Sequence, residues 1–185
     1  MINFEIFKGI DMKKYLFLTA VSVLALGMNS ANAAQGTATG TATAEILSPM
    51  GINHSDTDAL DFGQMLAGTY TVTVNTSGNA SFSDATKKVG TTSSADKFTI
   101  TGTKGMSYTL NVPNTITLTG KTKSKTMSVN NVKVKIDTGS EQNAGDIKTS
   151  LSGTGATVFV GGTLNVTSDA EVDEYSGTYT VTLTY

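Results

Sequence analysis

The 185-residue chain has no cysteine and no tryptophan, a single histidine and two prolines, and only 15% of its residues are charged. Each shortage removes a class of chemistry. Without cysteine there is no disulfide to restrict the unfolded chain, no thiol nucleophile and no thiolate ligand, so stability has to come from packing and ladder hydrogen bonds. With one histidine, His54, neither a catalytic zinc site, which takes three protein ligands of compatible geometry, nor a second triad base is available. No Gly-x-Ser-x-Gly elbow presents a nucleophile. The missing tryptophan takes away a flat platform for a sugar ring, which weakens any glycosidase reading of paired carboxylates.

Long hydrophobic runs are also absent, with one exception near the start. Lys13 and Lys14 precede an almost unbroken apolar stretch from Tyr15 to Leu26, and Ala31-Asn32-Ala33 places small residues where signal peptidase reads them. The run is too short to cross a bilayer, and no stop-transfer pattern follows it. Residues 1–33 are therefore expected to be a secretory signal peptide, removed after Ala33, with Met12 its natural start. The protein is expected to be exported, to the periplasm, the cell surface, a fimbrium or the medium, with no transmembrane segment in its mature form. Removing residues 1–33 takes three of thirteen basic and two of fifteen acidic residues, which leaves ten against thirteen and a net charge of −3. A nucleic-acid partner would want a basic stripe, so none is expected. The mature length suits one domain, residues 34–185.

What the chain has in quantity is threonine, about one residue in six. Together with Val, Ile, Tyr and Phe it forms the set that suits a pleated, half-buried surface. Alternation recurs along the chain and places apolar residues on one face of successive strands: Tyr70, Val72 and Val74; Phe98 and Ile100; Met106, Tyr108, Leu110 and Val112; Ile116 and Leu118; Val132, Val134 and Ile136; Val158 to Val166; and Tyr179, Val181, Leu183 and Tyr185. Gly161-Gly162 predicts a bulge or tight bend inside one of these runs. The closing run predicts a central or near-central strand. The best helical candidate, Asn143 to Leu151, is short. Short strands separated by turn residues predict an all-β, immunoglobulin-like sandwich of about seven to nine antiparallel strands.

Several clusters invite a functional reading. His54 with Asp56, Asp58 and Asp61 has the composition of a metal or acid/base site, against a polar loop. Asp169, Glu171, Asp173 and Glu174 offer hard oxygens of the kind calcium takes, but without the EF-hand spacing. Neither is expected to hold a metal, and no cofactor is expected. Lys121, Lys123 and Lys125, with Lys133 and Lys135, make a basic stretch that reads as a solvent face or a guarded edge, with a polyanion-binding surface as the alternative. The segment Thr37–Leu47 places Ala38, Gly40, Ala42, Ala44 and Ile46 on one face and threonines on the other. It reads either as the domain's own first strand or as a detachable strand, within residues 34–47, that completes a sheet of a neighbouring subunit by β-strand addition.

The order Ala42-Thr-Ala-Glu-Ile-Leu-Ser-Pro49, Leu60-Asp-Phe-Gly63, Phe98-Thr-Ile-Thr-Gly102, Tyr108-Thr-Leu-Asn-Val-Pro113, Val160-Gly-Gly-Thr-Leu164 and Gly177 to Tyr185 resembles an uncharacterised family of small exported bacterial β-domains. Its members are of unknown function and are often suspected of being fimbrial-like. That resemblance implies the immunoglobulin-like sandwich and names no catalytic residue. A looser similarity, to chaperone/usher pilins, rests on the alternating N-terminal extension and the terminal strand; many such pilins carry a disulfide that this chain cannot form. The expected function is a non-catalytic, secreted structural surface or fimbrial-like subunit, joined to copies of itself or to other subunits. The alternative is a monomeric adhesin-like module that binds carbohydrate or a host surface.

Overall fold

The computed structural model describes residues 36–185, so the signal segment 1–33 and its cleavage site lie outside the described residues. The chain divides into two units, Met1–Thr43 and Ala44–Tyr185. In the first, residues 36–43 are exposed and belong to no strand; in the second, residues 44–49 are likewise exposed, and regular structure starts only at Gly51. The expected first strand over Thr37–Leu47 is thus not formed within the chain itself.

Twelve strand segments follow: β1 (Gly51–His54), β2 (Tyr70–Val74), β3 (Ala80–Phe82), β4 (Asp96–Thr101), β5 (Ser107–Val112), β6 (Ile116–Gly120), β7 (Thr126–Ile136), β8 (Gln142–Asn143), β9 (Gly145–Ser150), β10 (Gly155–Val166), β11 (Tyr175–Ser176) and β12 (Thr182–Thr184). Eight have four or more residues, in line with the seven to nine expected. All pairings are antiparallel. One sheet runs β1-β4-β10-β7-β6-β11, with β2 and β3 attached beside β10 and β8 beside β7; the other is β12-β5-β9. The fold is an all-β sandwich. Asn143 to Leu151, the best helical candidate, is mostly β9, because alternation and pairing with β5 outweigh its weak helical propensity.

The core follows the alternation in the sequence. Val72, Val74, Ile100, Leu110, Val112, Val129, Val134, Val158, Val160 and Leu164 are all buried to within 1%, each stabilising the fold by about 1.5–3 kcal/mol. The longest strand, β10, is the spine. Its first half pairs with β4, its second half with β2, and β7 runs along its other side. The exchange of neighbours happens at Gly161-Gly162, where the register with β7 shifts. A Cβ on Gly161 would stand 2.4 Å from the Val74 carbonyl oxygen, and one on Gly162 2.7 Å from a Val129 methyl. Opposite Gly162, β7 carries one extra residue, and Asn131 adopts φ 48°. That bulge resets the phase, so Met127 and Val129 before it and Val132 and Val134 after it all face the core.

The C-terminal run departs from expectation. Only Thr182–Thr184 is strand, and β12 lies at the edge of its sheet, not at its centre. Tyr179, Val181 and Leu183 do pack against the core, half-buried, while Tyr185 is 62% exposed. Gly177 explains the irregular approach: a Cβ there would sit 2.1 Å from the Thr117 carbonyl oxygen, so the chain presses flat on β6 before crossing to the other sheet.

Candidate functional site

Among the described residues the outer sides of β3, β8, β9 and β11 are open, and so are two further strand edges: the side of β1 away from β4, and the side of β12 away from β5. Core-facing side chains near these edges, Ile52, Leu118, Tyr179, Val181 and Leu183, are only half-buried, although residues in the same phase on central strands are sealed. A cavity of about 410 Å³ opens between His54 of β1 and the segment that leads into β12, floored by Phe98, Ile116, Leu118 and Val129 and walled by the 58–62 loop and by Gly177–Val181. An open seam with apolar walls can accept an apolar side chain on an extended backbone.

One end of the cavity carries a polar cluster. Asp96, 4% exposed, opens β4 in the same phase as Phe98 and Ile100. One of its oxygens lies 2.7 Å from His54 Nε2 on β1 and also accepts the Lys97 backbone N–H at 2.7 Å; the other accepts the Tyr179 hydroxyl at 2.6 Å. The Phe98 ring lies between them, 4.7 Å from the His54 ring and edge-on to Tyr179 at 6.1 Å. Burial, followed by the hydrogen bond to Asp96 and the charge of that carboxylate, pushes the Tyr179 phenol far above its ordinary range. It is therefore a fixed donor. A buried carboxylate satisfied in this way ties β1, β4 and the C-terminal segment into one unit. The His54–Asp96 pair also has the form of a catalytic dyad, but among the described residues no serine or threonine hydroxyl is hydrogen-bonded to His54.

None of the acids that the sequence set beside His54 bonds to it. Asp58 lies 3.5 Å from Lys97 Nζ, Asp61 caps the Gly63 N–H at 2.8 Å, and Asp56 is exposed in the turn. The partner of His54 comes from 42 residues along the chain. The sequence carried a signal for it: a carboxylate in the buried phase of an apolar strand needs a donor, and Tyr179, in the buried phase of its own run, supplies one. Among the described residues no group of three or more His, Asp or Glu side chains is placed to hold a metal ion.

Three of the four acids at 169–174 meet the turn that carries Lys121 and Lys123. Asp173 accepts the backbone N–H groups of Thr122 and Lys123, both at 2.8 Å, and these bonds, that from Lys123 foremost, hold its carboxyl below the usual range. Glu174 lies 3.1 Å from Lys121 Nζ, and Glu171 3.9 Å from Lys123 Nζ. The acidic loop therefore docks on the β6–β7 turn, and a polyanion at Lys121, Lys123 and Lys125 would meet carboxylates already in place. Lys133 donates to Asn143 at 2.6 Å, and Lys135 lies over the Phe159 ring.

Ala38, Gly40, Ala42, Ala44 and Ile46 are exposed, Ile46 at 98%. No curated protein and no solved structure matches the chain. A family model does, over residues 52–185, which takes in all but the first residue of the twelve strands. The chain belongs to the family described as Domain of unknown function (DUF4402).

Proposed function

We propose that the mature chain is an exported, non-catalytic subunit of a surface or fimbrial-like assembly, in which residues 37–47 of one copy complete the sandwich of the next by β-strand addition. The reading rests on one combination: an exposed, alternating segment outside any strand, in a chain whose β1 and β12 edges are unpaired and flank half-buried core residues. Strand addition satisfies orphan backbone groups on both partners at once and covers the apolar side chains at the seam. The signal-like start supports export, and the all-β, cysteine-free domain suits a structural role.

Purified mature protein is expected to form oligomers resistant to sodium dodecyl sulfate that disappear when residues 34–45 are deleted. Cells expressing the protein are expected to show surface polymers by electron microscopy. A chain that stays monomeric at high concentration, with no surface structure, would overturn the proposal.

A second reading, an adhesin-like module, is favoured by one feature. Ser107, Thr109, Lys148, Thr184 and Tyr185 surround an open concavity of about 570 Å³, and the exposed Tyr185 gives it an aromatic wall beside hydroxyl groups. A glycan-array signal lost on Tyr185→Ala would select it.

A further inference from the structure

We propose that the cavity between Phe98, Leu118 and Val181 is the seat for the Ile46 side chain of a second copy, which makes Ile46 the anchor that fixes the register of the added strand. This assignment rests on the strand-addition reading above and adds which residue enters which cavity, and from which molecule.

The face of the segment that carries Ala38, Gly40, Ala42 and Ala44 has one bulky position, Ile46, and that side chain is 98% exposed. A β-branched aliphatic group left in water on an extended segment is the piece of that face that gains most from burial. The seam offers a matching feature: a cavity of about 410 Å³ whose floor is aromatic and aliphatic, with Asp96 already bonded to His54 and to the Tyr179 hydroxyl and Asp58 3.5 Å from Lys97 Nζ at its polar end, and with Thr178 and Thr180 on its wall. An apolar occupant on that floor therefore strands neither Asp96 nor the Tyr179 hydroxyl, while Thr178 and Thr180 are exposed positions that keep their access to solvent. The alanines and glycine need no cavity, since their backbone can lie close along a strand edge.

The occupant has to come from another molecule. Ser48 is held by its backbone N–H on Thr103 Oγ1, 3.1 Å away, and Met50 is buried beside Gly102 and Leu151. The chain thus leaves the domain at the Thr101–Thr103 end of β4, whereas the cavity lies at the Asp96–Phe98 end. Five residues separate Phe98 from Thr103, about 17 Å at about 3.3 Å per residue. From Ser48 to Ile46 the chain reaches at most about 7 Å. Ile46 cannot enter its own cavity while Ser48 stays bonded, but it projects from the end of the domain at which a following copy would receive it.

The absence of cysteine makes a clean test possible. Two single variants of the full mature chain, Ile46→Cys and Thr180→Cys, both at exposed positions, are mixed at high concentration under mild oxidation. The expected result is a mixed disulfide dimer in excess of either self-pair. In parallel, Ile46→Ser is expected to weaken self-association about tenfold to a hundredfold with unchanged thermal unfolding of the monomer. If oligomers form without the mixed disulfide and Ile46→Ser associates normally, the seat is wrong and strand addition stands. If the unmodified chain does not associate at all, both readings fall. If a chain carrying both Ile46→Cys and Thr180→Cys closes a disulfide within a monomer, the segment serves its own domain and the proposal is overturned.

Discussion

Replacing Tyr179 by phenylalanine keeps the ring and its edge contact with Phe98 while deleting the one hydroxyl that reaches Oδ2 of Asp96 at 2.6 Å. Asp96 is 4% exposed, so the only solvent within reach to replace the lost donor is water in the adjoining cavity, which would bring the loss toward the lower end of the range below. A hydrogen bond to a charged group contributes about 1.5–3 kcal/mol, and leaving a buried acceptor unpaired costs a similar amount. For a domain of this size each kcal/mol corresponds to about 2–4 °C in Tm, which gives an expected fall of about 3–12 °C. Differential scanning calorimetry of the wild type and Tyr179→Phe measures it. Asp96→Asn provides a control, because its carbonyl oxygen can still accept from Tyr179 while the buried charge is gone; adding Tyr179→Phe to it is expected to cost less than Tyr179→Phe alone. A Tyr179→Phe variant that melts within 1 °C of wild type would show that the cluster does not hold the C-terminal segment in place.

The same phenol gives an alkaline signature. Its folded pKa is raised and its unfolded pKa is ordinary, so the native state keeps a proton that the unfolded state releases. Stability is therefore fully present below about pH 10 and falls above it, by about 1.4 kcal/mol per pH unit from this group; Tyr179→Phe is expected to show a shallower decline in urea midpoints between pH 10 and 11. Gly161→Ala sets a methyl 2.4 Å from the Val74 carbonyl oxygen and is expected to cost at least about 1–3 kcal/mol, read as a lower urea midpoint with an unchanged m-value. Deleting residues 179–185 removes three half-buried apolar side chains and the donor to Asp96, a combined loss of about 3–7 kcal/mol against a total of about 5–15 kcal/mol; an unchanged midpoint would show the segment to be dispensable. Exported protein is expected to begin at Ala34 by N-terminal sequencing, and retention of Leu16 to Leu26 in exported material would contradict the signal reading.

The fold was legible where burial alone sets the pattern. On β2, β4, β5 and β10 the side chains alternate between core and solvent with a period of two, and the core residues are those that the alternation picks out. It was less legible where backbone geometry intervenes. The extra residue at Asn131 shifts the phase of β7 in mid-strand, so Val132, Val134 and Ile136 could be read while Met127 and Val129 could not. The place of the C-terminal run depends on what pairs beyond it, and alternation looks the same in an edge strand as in a central one. The polar cluster was legible only in part. His54 was visible, but its partner Asp96 comes from a strand 42 residues away, and proximity in sequence had pointed to Asp56, Asp58 and Asp61. The mutual docking of Lys121 and Lys123 with Glu174 and Glu171 across about fifty residues was likewise hidden, because each cluster taken alone has the composition of a ligand site.

Strand addition has one consequence that no other arrangement of this chain shares: the backbone amides of residues 37–47 become part of a ladder only in the assembled state. Amide hydrogen exchange followed by mass spectrometry, on assembled and on dilute monomeric protein, reads this directly. If residues 37–47 exchange slowly in the assembled protein and freely in the monomer, alongside new protection in β1 or β12, one copy's segment is held in the sheet of another. Free exchange of residues 37–47 in both states would contradict strand addition, whatever the oligomer's size.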